Sequence, residues 1–98
     1  YISNIKRGCC IHIFSKKDNQ CYEIASNKKL IDTYEELKNQ SFEYAHNSYI
    51  VNFKAIIGIK NDVITLEDLT TLNISRSKRK IFHSRFADYL GGKYKRNR

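Results

Sequence analysis

Proline is absent from this chain, glycine occurs four times and cysteine three times, and each scarcity removes a class of protein. With no proline-rich or low-complexity tract and no internal repeat, nothing divides the 98 residues, which suffice for one domain with its own core. The glycines form no phosphate-cradling loop. Cys9, Cys10 and Cys21 are too few for a disulfide framework and lack the paired spacing of a four-ligand zinc site. They read as reduced thiols acting as small hydrophobes, with a redox role for Cys9 and Cys10, beside a basic loop, as the alternative. No paired-carboxylate motif, Cys/His nucleophile constellation or metal cluster is present, so the reading is not an enzyme and no cofactor is implied. No signal peptide and no apolar run of membrane-spanning length occur, so a soluble, cytoplasmic protein without a membrane partner is expected. The chain opens on Tyr1-Ile2 without an initiator Met, and is expected to be a fragment of a longer protein with a truncated first strand.

Acidic residues are scarce in one region only. Residues 1–68 hold nine Lys/Arg and nine Asp/Glu, whereas residues 69–98 hold nine Lys/Arg against the single acid Asp88. The formal charge of +8 therefore belongs to the last third. Such concentration either suits a polyanion, whose condensed counterions the cations would displace, or serves solubility.

What the chain has in quantity is β-prone sequence in short blocks. Tyr1 to Ile5, Cys10 to Phe14 and Cys21 to Ala25 read as strands, the last two as a hairpin around Lys16-Lys17-Asp18-Asn19. After Ser26-Asn27, candidate caps, Lys28 to Lys38 reads as an amphipathic helix with Leu30, Ile31, Tyr34 and Leu37 inward. Phe42 to Ala45 resumes the sheet, with Phe42 and Tyr44 on one face and Glu43 and Ala45 on the other. Ser48 to Asn52 fits a strand or a single helical turn. Ala55 to Lys60, Val63 to Glu67 and Thr71 to Ile74 follow as a meander with turns at Asn61-Asp62 and Asp68 to Thr70. Ser77 is the expected cap of a helix from Lys78 to Leu90, with Ile81, Phe82, Phe86, Tyr89 and Leu90 on its apolar face and Gly91-Gly92 as its stop. The domain is expected over residues 1–92, followed by a basic tail over 93–98 that is unstructured at its end.

Two polar signatures bracket the second half: His46-Asn47-Ser48-Tyr49-Ile50-Val51-Asn52, and Ile74-Ser75-Arg76 leading into the last helix. With Phe42 four residues before His46, this order resembles a LytTR DNA-binding domain over nearly the whole chain. The resemblance implies a mainly β fold with two short helices, an elongated sandwich of small antiparallel sheets. It also implies sequence-specific binding of double-stranded DNA by loops that enter successive major grooves. The first signature is similar to the accessory-gene-regulator and competence-regulator branch of bacterial response regulators. That likeness implies transcription control as the output domain of a two-component system, with an upstream receiver domain, a sensor kinase, and dimeric binding to promoter direct repeats.

Three loops match the family's DNA-contacting positions. Lys6 and Arg7 supply a basic turn, Arg7 suiting guanine and Lys6 phosphate, or both being exposed turn charges; Gly8 stands where some relatives carry a base-contacting His. Asn47 matches a DNA-contacting position and offers an amide pair that fits adenine or donates to a phosphate, with a turn-forming role as the alternative, while His46 either donates to phosphate or is held in the structure. Arg76 matches the Ser-Arg motif and is the principal candidate reader. Lys78, Arg79 and Lys80 crowd the first turn of the helix, where its dipole disfavours cations and an anionic partner would relieve them. Ser48 reads as a local capping residue and Asn52 as a structural hydrogen-bonding one. The alternative is a single-stranded nucleic-acid or RNA-binding β-module, although no ribonucleoprotein aromatic motif or Gly-x-x-Gly loop supports it.

Overall fold

The computed structural model describes the backbone of residues 1–95 and the side chains through residue 91. Strands β1 (Ile2–Ile5), β2 (Gly8–Ser15) and β3 (Gln20–Ser26) are followed by helix α1 (Leu30–Leu37). Then come β4 (Phe42–His46), β5 (Tyr49–Asn52), a 3-10 turn (Phe53–Ala55), β6 (Ile56–Lys60), β7 (Val63–Leu66), β8 (Thr71–Asn73) and helix α2 (Arg76–Lys95). The first five strands form one antiparallel sheet in the order β3-β2-β1-β5-β4, and β6-β7-β8 form a second. This is the mainly β fold of two small antiparallel sheets and two helices that the sequence predicts, though α2 is 20 residues long.

Alternation along a strand sends neighbours to opposite faces. Ile50 and Val51 are adjacent on β5 and both fully buried, so both faces of the larger sheet are covered. On one face Ile2, Cys9 and Ile50 pack with Leu30 of α1. On the other, Ala45 and Val51 meet Ile64, Leu66 and Ile74 from the second sheet and its exit, Phe53, and Phe82 of α2. Phe53 is the hub: its ring lies 5.4 Å from Phe82, 5.4 Å from Phe86 and 5.5 Å from Tyr89. The 3-10 turn that delivers this ring is held by Asn52, whose Oδ1 accepts from the Lys54 amide at 3.0 Å and the Ser41 hydroxyl at 3.2 Å.

Several sequence expectations are corrected here. In α1 the inward positions are Leu30 and Thr33, with Tyr34 and Leu37 beside them, while Ile31 is exposed. The spacing 30, 33, 34, 37 is one helical stripe, and residue 31 lies about 100° away from residue 30. Neither Ser26 nor Asn27 caps α1; Lys29 stands at the N-cap without a side-chain bond, and Ser26 Oγ accepts from the Lys28 amide instead. Helix α2 begins at Arg76, so Ser77 lies inside it, and it continues through Gly91-Gly92 to Lys95. Ile81 and Leu90 point outward, and the inward stripe is Phe82, Phe86 and Tyr89. The end of the expected tail, residues 96–98, lies outside the described residues.

Buried Glu43 ties three elements together. Its Oε1 accepts from the Tyr34 hydroxyl of α1 at 2.9 Å and pairs with the Arg85 guanidinium of α2 at 3.1 Å, while Oε2 accepts from the Tyr44 amide at 2.9 Å. Arg85 also donates to the Lys38 carbonyl at 2.9 Å, so α2 is fastened to the end of α1 as well as to β4. Both carboxylate oxygens are thus matched, as burial of a charge requires. Among the described residues no helix is long and apolar enough to cross a membrane.

Candidate nucleic-acid interface

Main-chain hydrogen bonds bring the three predicted loops to one end of the molecule. The Asn4 amide, at the end of β1, donates to the Ser48 carbonyl at 2.7 Å, which sets the Lys6-Arg7 turn beside the His46-Asn47-Ser48 turn. The Ser75 amide donates to the Ala45 carbonyl at 2.8 Å, which sets the start of α2 on the other side of that turn. Arg7, Asn47 and Arg76 thus belong to three consecutive segments of one rim, with the β4–β5 turn in the middle.

At the first segment, Gly8 has a structural task. Its φ of +129° is a conformation that side chains rarely adopt, and a Cβ there would sit 1.9 Å from the Ser26 carbonyl oxygen. Lys6 and Arg7 are exposed at the tip. The pairing of Cys9 with Ser26 brings Asn27 and Lys29 to the same end, where they share with Lys6 and Arg7 a surface groove of about 460 Å³. Lys29 is the residue that sequence reading missed. It lies in a helix-start segment far from the signatures, and only the β2–β3 register reveals its position.

In the middle segment His46 is held rather than free: its Nδ1 accepts from the Ser48 amide at 3.0 Å, and its ring stacks on Tyr49 with centroids 5.0 Å apart and planes 11° apart. An accepting Nδ1 fixes the tautomer of the neutral ring, leaving Nε2–H as a donor. Tyr49 in turn donates to the Asn73 carbonyl, so the stack is anchored to the second sheet. Asn47 is exposed and is not among the residues with positive φ, so the turn does not depend on the special backbone tolerance of asparagine.

In the third segment the four cations at the start of α2 divide into two kinds. The Arg79 Nε lies 2.7 Å from Asp62 Oδ2, and the Lys78 ammonium lies 5.0 Å from the centre of the Tyr44 ring. Asp62, in the β6–β7 turn, also meets His83 Nε2 at 2.8 Å. This bond from His83 first, then the nearby Arg79 charge, holds the Asp62 carboxyl below the ordinary carboxylate range. Arg76 and Lys80 are exposed and have no ion-pair partner among the described residues, although the first turn of α2 carries no acid. Their charge is left to meet solvent or a ligand at a helix start where the backbone dipole is already positive.

The arrangement offers the Asn47 amide with guanidinium and ammonium groups along one rim, donors suited to phosphate oxygens and base edges. The family model described as the LytTr DNA-binding domain matches residues 6–87, a span that contains all three segments. No curated protein and no solved structure matches the chain.

Proposed function

The chain belongs to the LytTR family of DNA-binding domains, and from that premise we propose that the rim formed by Lys6-Arg7, His46-Asn47 and the start of α2 is its DNA-reading surface. The observation that carries the reading is the contrast among cations within one helical turn. Arg79 and Lys78 are engaged by the protein, while Arg76 and Lys80 are exposed without an ion-pair partner among the described residues. Arg76 and Asn47 read base edges, since a guanidinium fits guanine bidentately and a carboxamide fits adenine. Lys6, Lys29, Lys80 and the Nε2–H of His46 bind phosphate, and Arg7 takes either. The loops enter successive major grooves of duplex DNA, in the manner the family resemblance implies.

The same reading makes the chain the output domain of a cytoplasmic two-component response regulator. A receiver domain preceding it would be phosphorylated by a sensor kinase, and two copies would occupy promoter direct repeats. The test is a gel-shift titration on a duplex selected from a random pool, with single-stranded competitor. Arg76→Ala, a change at an exposed side chain, is expected to abolish selective binding while the far-ultraviolet dichroism stays unchanged. Unaltered affinity removes Arg76 from the site, and preference for the single strand overturns the duplex reading.

A further inference from the structure

Away from the rim, the face of the larger sheet opposite α1 carries a group of side chains that the DNA-reading surface does not use. Cys10 and His12 are two apart on β2 and so share a face, and Glu23 of β3 is paired directly across from His12. The Cys10 Sγ, a His12 ring nitrogen and a Glu23 carboxylate oxygen all lie within 4.8 Å of one another. His12 Nδ1 stands 3.4 Å from Glu23 Oε2, and its other nitrogen, Nε2, is bonded to Ser3 Oγ at 2.9 Å. The Tyr1 ring is stacked on the imidazole with centroids 4.1 Å apart and planes 9° apart.

We propose that Cys10, His12 and Glu23 form a binding site for a late first-row divalent ion of the zinc class. Tetrahedral bonds of about 2.0–2.3 Å put neighbouring ligand atoms roughly 3.3–3.8 Å apart, so the His12–Glu23 pair already has the required separation and the thiol needs only a small approach. A thiolate, imidazole and carboxylate set selects against calcium and magnesium, which take oxygen ligands. Ser3 on Nε2 and the Tyr1 stack supply the outer support that fixes a ligating imidazole, leaving Nδ1 for the ion. Three protein ligands leave a fourth position for water, which makes the site exchangeable rather than a permanent staple. The ion would clip β2 to β3 and, through Ser3, brace β1, the strands whose turns and exits present Lys6, Arg7 and Lys29.

Cobalt(II) titration of the reduced chain under anaerobic conditions tests this. A thiolate charge-transfer band in the near ultraviolet, with visible bands of tetrahedral intensity, is expected to saturate at one equivalent and to be displaced by zinc. Cys10→Ser should remove the charge-transfer band. Glu23→Gln, at an exposed side chain that leaves the fold alone, should weaken zinc binding by about tenfold or more. Cys21→Ser, which removes the exposed thiol bonded to Asp68, should change neither. Absence of a saturating thiolate band overturns the proposal, as does a band that survives Cys10→Ser or vanishes with Cys21→Ser.

Discussion

The rim makes a quantitative claim on salt dependence. Five exposed cations are assigned to it, Lys6, Arg7, Lys29, Arg76 and Lys80, and none has an ion-pair partner among the described residues. If each displaces one counterion from the duplex, four at phosphates and Arg76 from its place in the groove, log affinity falls against log salt with a slope of about −4.5, or about 20-fold weaker binding for each doubling of salt. The triple change Lys6→Ala, Arg7→Ala and Lys29→Ala removes three of the five without touching a buried group. The slope should fall to about −1.8, so that doubling the salt costs only about 3.5-fold. Fluorescence anisotropy on a labelled duplex, over a range of about 50 to 400 mM salt, measures both slopes, with the preference for the selected site over a scrambled one recorded in parallel. Because these three side chains are assigned mainly to phosphate, overall affinity should drop while most of that preference survives. A slope that stays near about −4.5 in the triple variant would place the DNA elsewhere and refute the convergence of the three loops on it.

Three further outcomes concern what holds the rim in place. Gly8→Ala should destabilise the chain by about 3 kcal/mol or more in urea unfolding, since backbone strain of roughly 1–3 kcal/mol adds to a clash with the Ser26 carbonyl; a loss under about 1 kcal/mol would mean the turn can be rebuilt. Arg85→Ala strips the charge partner from buried Glu43 and should cost about 2–3 kcal/mol, below the roughly 3–5 typical of buried pairs because Arg85 is 41% exposed. Near-neutrality in that variant would show the Tyr34 hydroxyl and Tyr44 amide to be sufficient. Asp62 titrates below its ordinary 3.8 in the folded chain, so its contribution is fully present above that value and is lost as pH falls through the lower folded one. The stability gap between the parent and Asp62→Asn should therefore close as pH falls below about 4, and a gap that ignores acid would sever Asp62 from the Arg79–His83 anchor.

How much of this was legible depends on whether a feature is local. The Asn61-Asp62 turn, with both residues at positive φ, and the three-strand meander around it follow from short-range chemistry, as does the bonding role of Asn52. The start of α2 does not: the sequence offers Ser77 as a cap, but the carbonyl of Ser75, a residue tied to β4 through its amide bond to Ala45, already accepts from the Lys78 amide at 3.1 Å, so the helix begins at Arg76. Ile81 and Leu90 satisfy an apolar pattern read broadly, yet the room beneath α2 is taken by Phe82, Phe86 and Tyr89 around Phe53, and by Arg85 reaching Glu43. The sequence likewise groups Lys78, Arg79 and Lys80 as equals. Only tertiary structure separates them, by placing Tyr44 under one and Asp62 beside another. Cys10, His12 and Glu23 escape a spacing rule because cross-strand register, not sequence distance, sets their proximity.

The bonds that align the rim are themselves a reason for this division. Asn4 to Ser48 and Ser75 to Ala45 join main-chain atoms, so the relative placement of the three loops does not depend on which side chains the loops carry. A loop position can then exchange its side chain without moving its neighbours. Here the tight approach of the Gly8 backbone to Ser26 carries the Asn27–Lys29 segment to the rim. Under the proposed reading, the place of Lys29 among the phosphate-binding cations follows from that one close approach. Exchange of Lys29 alone should therefore weaken all duplexes alike, whereas exchange of Arg76 should change which duplex is preferred.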